Sequence, residues 1–238
     1  MGGTLVTRLP HERPVVVVVF TVSNWLGDGL RPRPPAQVTD LRRREEETST
    51  RVLGAHMLGL GFWDVDCRTL QRVACDDEYA MPDDFRWELD PTLRPVEELE
   101  AIRGAIRAVV TRLAPRRVYL PLGIGGQSDH RLVAEIAAAK CPFLEASGAE
   151  IVFYEDLPYA AKVGAGAVAE DATSRGLVPE LVDVEATFER KIQAIAAHRS
   201  QFERTSIEAT LRAYAEEVGG GTPAERLWRF PTSRDPAP

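Results

Sequence analysis

The stretch Gly123-Ile124-Gly125-Gly126-Gln127-Ser128-Asp129-His130-Arg131 constrains this chain more than any other. It follows a strand-like run, Val118 to Leu122, and opens an apolar-periodic helix through Leu132, Val133 and Ile136. A glycine-rich turn leading from the C-terminal end of a strand into a helix N-terminus is where open α/β sheets build ligand sites. Asp129 and His130 in such a turn suit metal ligation or acid–base work.

The rest of the chain supplies the sheet that this turn needs. Val15 to Val22, bounded by Pro14 and Ser23-Asn24, is β-branched and does not alternate. It reads as a strand buried on both faces, as in a parallel sheet. A Pro/Gly/Arg loop over 27–35 leads into a helix predicted from about Asp40 to Leu60, with Leu41, Val52, Leu53 and Met57 inward. Gly61 to Asp66 reads as a short strand, and the acidic stretch 75–95 as a lid or surface excursion. Glu97 to Leu113 is an amphipathic helix carried by Leu99, Ile102, Ile106, Val109 and Leu113. A strand at Ile151–Tyr154 and helices at Phe188–Phe202 and Ile207–Val218 follow. Strands alternating with helices predict one Rossmann-like α/β domain over 1–230, a mostly parallel sheet flanked by helices, with 231–238 a flexible tail.

Composition narrows the function classes. A net charge of −7 over 238 residues argues against a nucleic-acid surface. Arg42, Arg43 and Arg44 are answered at once by Glu45, Glu46 and Glu47. The apolar run at Val15–Val22 is too short to span a bilayer, so no membrane partner is expected. Cys67, Cys75 and Cys141 are odd in number and lack metal-site spacing, which points to a reduced, cytoplasmic setting.

Several blocks together carry a family resemblance. They are Gly2-Gly3-Thr4-Leu5, the strand ending Phe20-Thr21, Arg42-x-x-Glu45 followed by Val52-Leu53-Gly54-Ala55, and Gly125-Gly126-x-x-Asp129-His130-Arg131. Phe153-Tyr154-Glu155-Asp156-Leu157-Pro158-Tyr159 and Lys191 with Ser200-Gln201 complete the set. In that order they resemble the PIG-L/LmbE-like deacetylases over nearly the whole chain. The resemblance implies a Rossmann-like fold and removal of acyl groups from amino sugars or related N-acyl metabolites. It also implies a single zinc ion that activates water.

The same resemblance exposes two departures. The family's first strand, with its His-Pro-Asp-Asp turn supplying two zinc ligands and a general base, has no counterpart here; a start codon upstream of Met1 would account for that. In the second turn His130 matches a zinc ligand, whereas Gln127 stands where a His is usual and cannot carry a proton. A zinc site wants at least three protein ligands. His11 lies at the wrong end of its strand, His56 falls within the predicted helix, and His198 near Ser200-Gln201 has no ligand partner in sequence. Zinc is therefore expected to bind weakly or not at all, with His130 its one imidazole. The resemblance makes Gln127, Asp129 and His130 the catalytic candidates, Asp129 orienting His130 or the metal, and Arg42, Glu45 and Tyr154 the substrate-binding ones. Read without it, Arg42 and Glu45 are an exposed helical pair worth ~0.3 kcal/mol, and Asp129 is a helix cap.

Three functions stay open: a deacetylase whose zinc turn is encoded upstream, a zinc-independent enzyme acting on a sugar-like or amine-bearing metabolite, and a non-catalytic binding homologue. The expected partner is a small molecule in each case. Without the family's first strand, an exposed sheet edge and self-association are expected.

Overall fold

The computed structural model describes residues 1–8, 13–23, 34–65, 67, 96–138 and 142–232. His11, Cys75, Cys141, most of the loop at 27–35 and the acidic stretch at 75–95 lie outside them. The chain divides into two compact units, each discontinuous in sequence.

The first unit comprises 2–87 and 186–209. It contains helix α1 (Gly2–Arg8), strand β1 (Val15–Val22), helix α2 (Pro35–Val52), strand β2 (His56–Trp63) and helix α8 (Phe188–Ile195). β1 and β2 pair in parallel, in register from Val15↔His56 to Val18↔Gly59, with irregularities before Phe20↔Phe62 and Val22↔Trp63. Helix α2 packs on both strands and on α8, and α1 packs on α8.

The helix predicted from Asp40 to Leu60 begins earlier and ends sooner. Pro35 sits at its first turn, where a missing N–H costs nothing. Gly54, at φ +71°, stops it: the Gly54 N–H reaches Arg51 O, and the Ala55 N–H reaches Thr50 O, each at 3.0 Å. This pair of bonds is the Schellman closure that a left-handed glycine makes possible. His56 and Met57 therefore open β2 rather than lying in the helix. The buried face of α2 is not the one built on Leu41, Val52 and Leu53, which are half-buried. It runs through Val38, Glu45 and Ser49, so polar groups point inward.

The second unit comprises Met1, 88–185 and 210–238. It contains α3 (Val96–Leu113), β3 (Arg117–Pro121), α4 (Ser128–Ala138), α5 (Pro142–Ser147) and β4 (Glu150–Tyr154), and then α6 (Tyr159–Val163), α7 (Ala165–Ser174), β5 (Val178–Asp183) and β6 (Ala224–Arg229). Helix α9 (Arg204–Val218) contributes its last nine residues. The sheet order is β3-β4-β6-β5. β3 and β4 run parallel, from Arg117↔Glu150 to Pro121↔Tyr154, whereas β6 is antiparallel to both β4 and β5. β1, β3 and β4 fall within a residue of the strands expected from sequence, and β2 starts five residues before the expected Gly61; β5, β6 and the short helices α5, α6 and α7 are additions to that reading. Helix α3 buries Ile102, Ile106 and Val110, one residue off the predicted Val109, and Leu113 is exposed. Helix α4 packs on β3 through the stretch that includes buried Leu132 and Ile136.

Candidate active site

The turn between β3 and α4 forces an unusual backbone. Gly123, Gly125 and Gly126 have φ of +77°, +86° and +82°, a region side-chain-bearing residues seldom visit. Two of these glycines are also crowded. A Cβ on Gly123 would stand 2.8 Å from the Ala134 Cβ, and one on Gly125 would stand 2.4 Å from the Tyr159 Cβ. Helix α4 then starts with Gln127 as its cap: Gln127 Oε1 accepts the His130 N–H at 2.7 Å, and Gln127 O accepts the Arg131 N–H at 3.0 Å. Gln127 is thus occupied in starting the helix.

The parallel ladder brings a second segment to this turn. Pro121 is level with Tyr154, and the Leu122 N–H continues the ladder onto Tyr154 O at 2.9 Å. Asp156, two residues past β4, thereby meets the glycine turn. Its Oδ2 accepts the N–H groups of Gly123 at 2.8 Å and Ile124 at 3.2 Å. Its Oδ1 lies 2.7 Å from His130 Nδ1. The Asp156 side chain is fully buried, while the imidazole keeps 35% of its surface open. The Tyr159 ring meets the imidazole edge-on, with centroids 5.6 Å apart. Asp129 is buried beside His130 in the first turn of α4, but the carboxylate on the His130 ring is that of Asp156. The sequence signal for Asp156 is its place in the Phe153–Tyr159 block, which by itself gives the residue no role.

Tyr154 itself ends β4, and the cavity it borders with Glu155 and Tyr214 has a volume of ≈ 10 Å³, room for a water rather than a substrate. Glu155 is a structural acceptor, taking bonds from Tyr214 Oη at 2.7 Å, Arg226 Nε at 2.6 Å and Trp228 Nε1 at 2.9 Å.

In the first unit, the carboxyl ends of β1 and β2 carry a polar cluster of their own unit's residues. Arg42, on α2, donates to Ser23 Oγ just past β1, to Asp64 Oδ2 just past β2 at 3.3 Å, and to Gln201 Oε1 at 3.2 Å. Asp64 Oδ1 accepts the Cys67 N–H at 3.0 Å. Glu45 does not pair with Arg42; its buried carboxylate accepts the Ser200 N–H at 2.8 Å and the Ser200 hydroxyl at 2.6 Å. His198 lies in the turn after α8, not on a helix, with Nδ1 3.3 Å from Gln201 Nε2. Arg42 and Glu45 therefore tie α2 to the 198–201 turn.

A half-exposed imidazole held by a buried carboxylate thus stands at the carboxyl ends of two parallel strands, in the strand-to-helix turn of an α/β fold. Residues 1–141 match the PIG-L family, GlcNAc-PI de-N-acetylase, and the chain belongs to that family. Membership supports a hydrolase of the deacetylase kind. No curated protein matches the chain significantly. Solved structures do: the A40926 pseudoaglycone deacetylase Dbv21 (22% identity, 96% of this chain, 89% of that one, TM-score 0.66), the zinc inhibited form of the teicoplanin deacetylase Orf2 (19%, 99% and 94%, 0.68), and the N,N'-diacetylchitobiose deacetylase from Pyrococcus horikoshii (19%, 95% and 76%, 0.59). At these identities the likeness establishes the fold. Among the described residues, no three His, Cys, Asp or Glu side chains stand together as a metal site. Asp156 Oδ1 faces His130 Nδ1, which leaves Nε2 as the ring nitrogen that a metal could take in this turn. Likewise, no helix among them is long and apolar enough to cross a membrane.

Proposed function

We propose that this chain is a hydrolase removing an N-acyl group from an amino-sugar-like or other amine-bearing small molecule, with His130 as its reacting imidazole. The observation that carries the reading is the His130–Asp156 contact in the glycine turn, in a chain of a de-N-acetylase family. With Nδ1 facing a carboxylate, Nε2 is the ring atom left for chemistry. It takes a proton from a water that attacks the acyl carbon, and the C–O bond forms. It then returns that proton to the nitrogen as the C–N bond breaks, leaving a carboxylate and a free amine. Positioned acid–base groups of this kind contribute ~10²–10⁴-fold. Gln127 holds the His130 backbone, and Asp129 shares the first turn of α4. Arg42, Glu45 and Tyr154 are proposed as substrate-side residues, each to be tested by its own effect on KM. Two of the similar structures are deacetylases of N,N'-diacetylchitobiose and of the A40926 pseudoaglycone, which supports the sugar-like substrate class.

The test is conversion of a panel of N-acylated amino sugars by the purified chain, with and without added zinc, followed by mass spectrometry. Loss of one acyl group with release of its carboxylate is expected; intact substrate across the panel, from a folded protein, would sink the reading.

We also propose that copies of the chain associate through β1. Its eight residues, all apolar but Thr21, pair on one side only among the described residues, and none is fully buried. An apolar edge of that length templates pairing with another chain.

A further inference from the structure

We propose that Asp156 is a positioning residue that fixes the neutral His130 ring as the Nδ1–H tautomer and so keeps the Nε2 lone pair free. The inference deepens the role given to His130 above, and its main readout does not depend on activity.

The hydrogen bonds around Asp156 leave little choice. Oδ2 faces two backbone N–H groups, those of Gly123 and Ile124. Backbone N–H groups only donate, so the atom at that position must be an acceptor. Oδ1 faces His130 Nδ1 at 2.7 Å, and an ionised carboxylate can only accept. The ring nitrogen is therefore the donor. In a neutral imidazole one nitrogen donates and the other accepts, and the partner of the first decides which. The ring is also held in place. The His130 N–H is tied to Gln127 Oε1, and Tyr159 stands against the ring edge. A ring flip would put a carbon against a buried carboxylate. Asp156 is in turn held through the positive-φ turn at Gly123.

This arrangement makes the isosteric amide a switch. In Asp156→Asn the side-chain oxygen has to face Gly123 and Ile124, because an NH₂ there would set donor against donor. The NH₂ then faces His130 Nδ1, which must accept. The proton moves to Nε2, and the ring can no longer act as a base or offer a lone pair from that atom. The same exchange in a Ser-His-Asp triad leaves the geometry intact while installing the wrong tautomer, at a cost of ~10⁴ in turnover.

The experiment is nitrogen NMR on the chain labelled at its four histidines. The His130 signals are assigned by their loss in His130→Ala and read at a pH where the ring is neutral. The wild-type chain should show protonated Nδ1 and bare Nε2; Asp156→Asn should exchange the two patterns while the other three rings keep theirs. Turnover, where it is found, should fall ~10³–10⁴-fold in Asp156→Asn with KM little changed. A protonated Nε2 in the wild type overturns the proposal, as does an unchanged His130 pattern in a folded Asp156→Asn. If that variant does not fold, the wild-type spectrum alone decides. Correct tautomers in a chain that deacylates nothing would instead count against the function proposed above and leave this inference standing.

Discussion

Alanine at Gly125 should disrupt the turn far more than alanine one residue later. Both positions have left-handed backbones, φ +86° and +82°, and an L side chain there costs ~1–2 kcal/mol. Their surroundings differ. A Cβ on Gly126 meets no atom within 4 Å, whereas one on Gly125 lies 2.4 Å from the Tyr159 Cβ and 3.0 Å and 3.1 Å from the Tyr159 backbone C and Cα. Backbone cannot move aside by changing rotamer, so overpacking adds ~1–3 kcal/mol. Gly126→Ala should therefore cost about 1–2 kcal/mol and Gly125→Ala about 2–5 kcal/mol. Gly123→Ala should fall between them, because its contact is to the Ala134 side chain at 2.8 Å. Urea unfolding followed by fluorescence and circular dichroism measures the three differences. A Gly125→Ala chain as stable as Gly126→Ala would refute the claim that Tyr159 closes on this turn.

Other consequences are simpler to state. Burial, and then the negative charge of Glu155, raise the Tyr214 phenol well above its ordinary 10.0. A raised pKa gives stability that is complete below pH 10 and is lost as pH climbs above it. Tyr214→Phe should therefore lose less stability than wild type between neutral and strongly alkaline pH, and parallel curves would contradict the assignment. Ser200→Ala removes the hydroxyl that bonds the buried Glu45 carboxylate and should cost about 1.5–3 kcal/mol in unfolding experiments, against no change if that bond is unimportant. Val17→Lys, in the middle of β1, should shift a self-associated chain toward monomer in analytical ultracentrifugation. A wild-type chain that is monomeric at high concentration would remove the interface.

What could be read from the sequence was whatever local pattern decides. β1, β3, β4 and α3 announce themselves by β-branched runs or three-to-four spacing. The join of α2 and β2 was misplaced because Leu53, Met57 and Leu60 imitate helical spacing; the left-handed Gly54 was the stronger local signal. β6 carries Glu225 and Arg226 within Ala224–Arg229, and no local rule favours such a strand. Its arginine is satisfied by Glu155, 71 residues away. The same distance hid half the candidate site. His130 was evident from its turn, but Asp156 lies 26 residues on and meets it only through the register of β3 on β4. The inward polar face of α2 was likewise invisible, because the acceptors and donors that satisfy Arg42 and Glu45 come from Ser23, Asp64 and the 198–201 turn.

The most direct test of the account compares amine release by the wild-type chain and by His130→Ala, on the N-acylated amino sugar that the wild type converts fastest. With circular dichroism showing both folded, the account predicts a rate ~10²–10⁴-fold lower in the variant. Equal rates would show that the imidazole in the glycine turn is not where the chemistry happens.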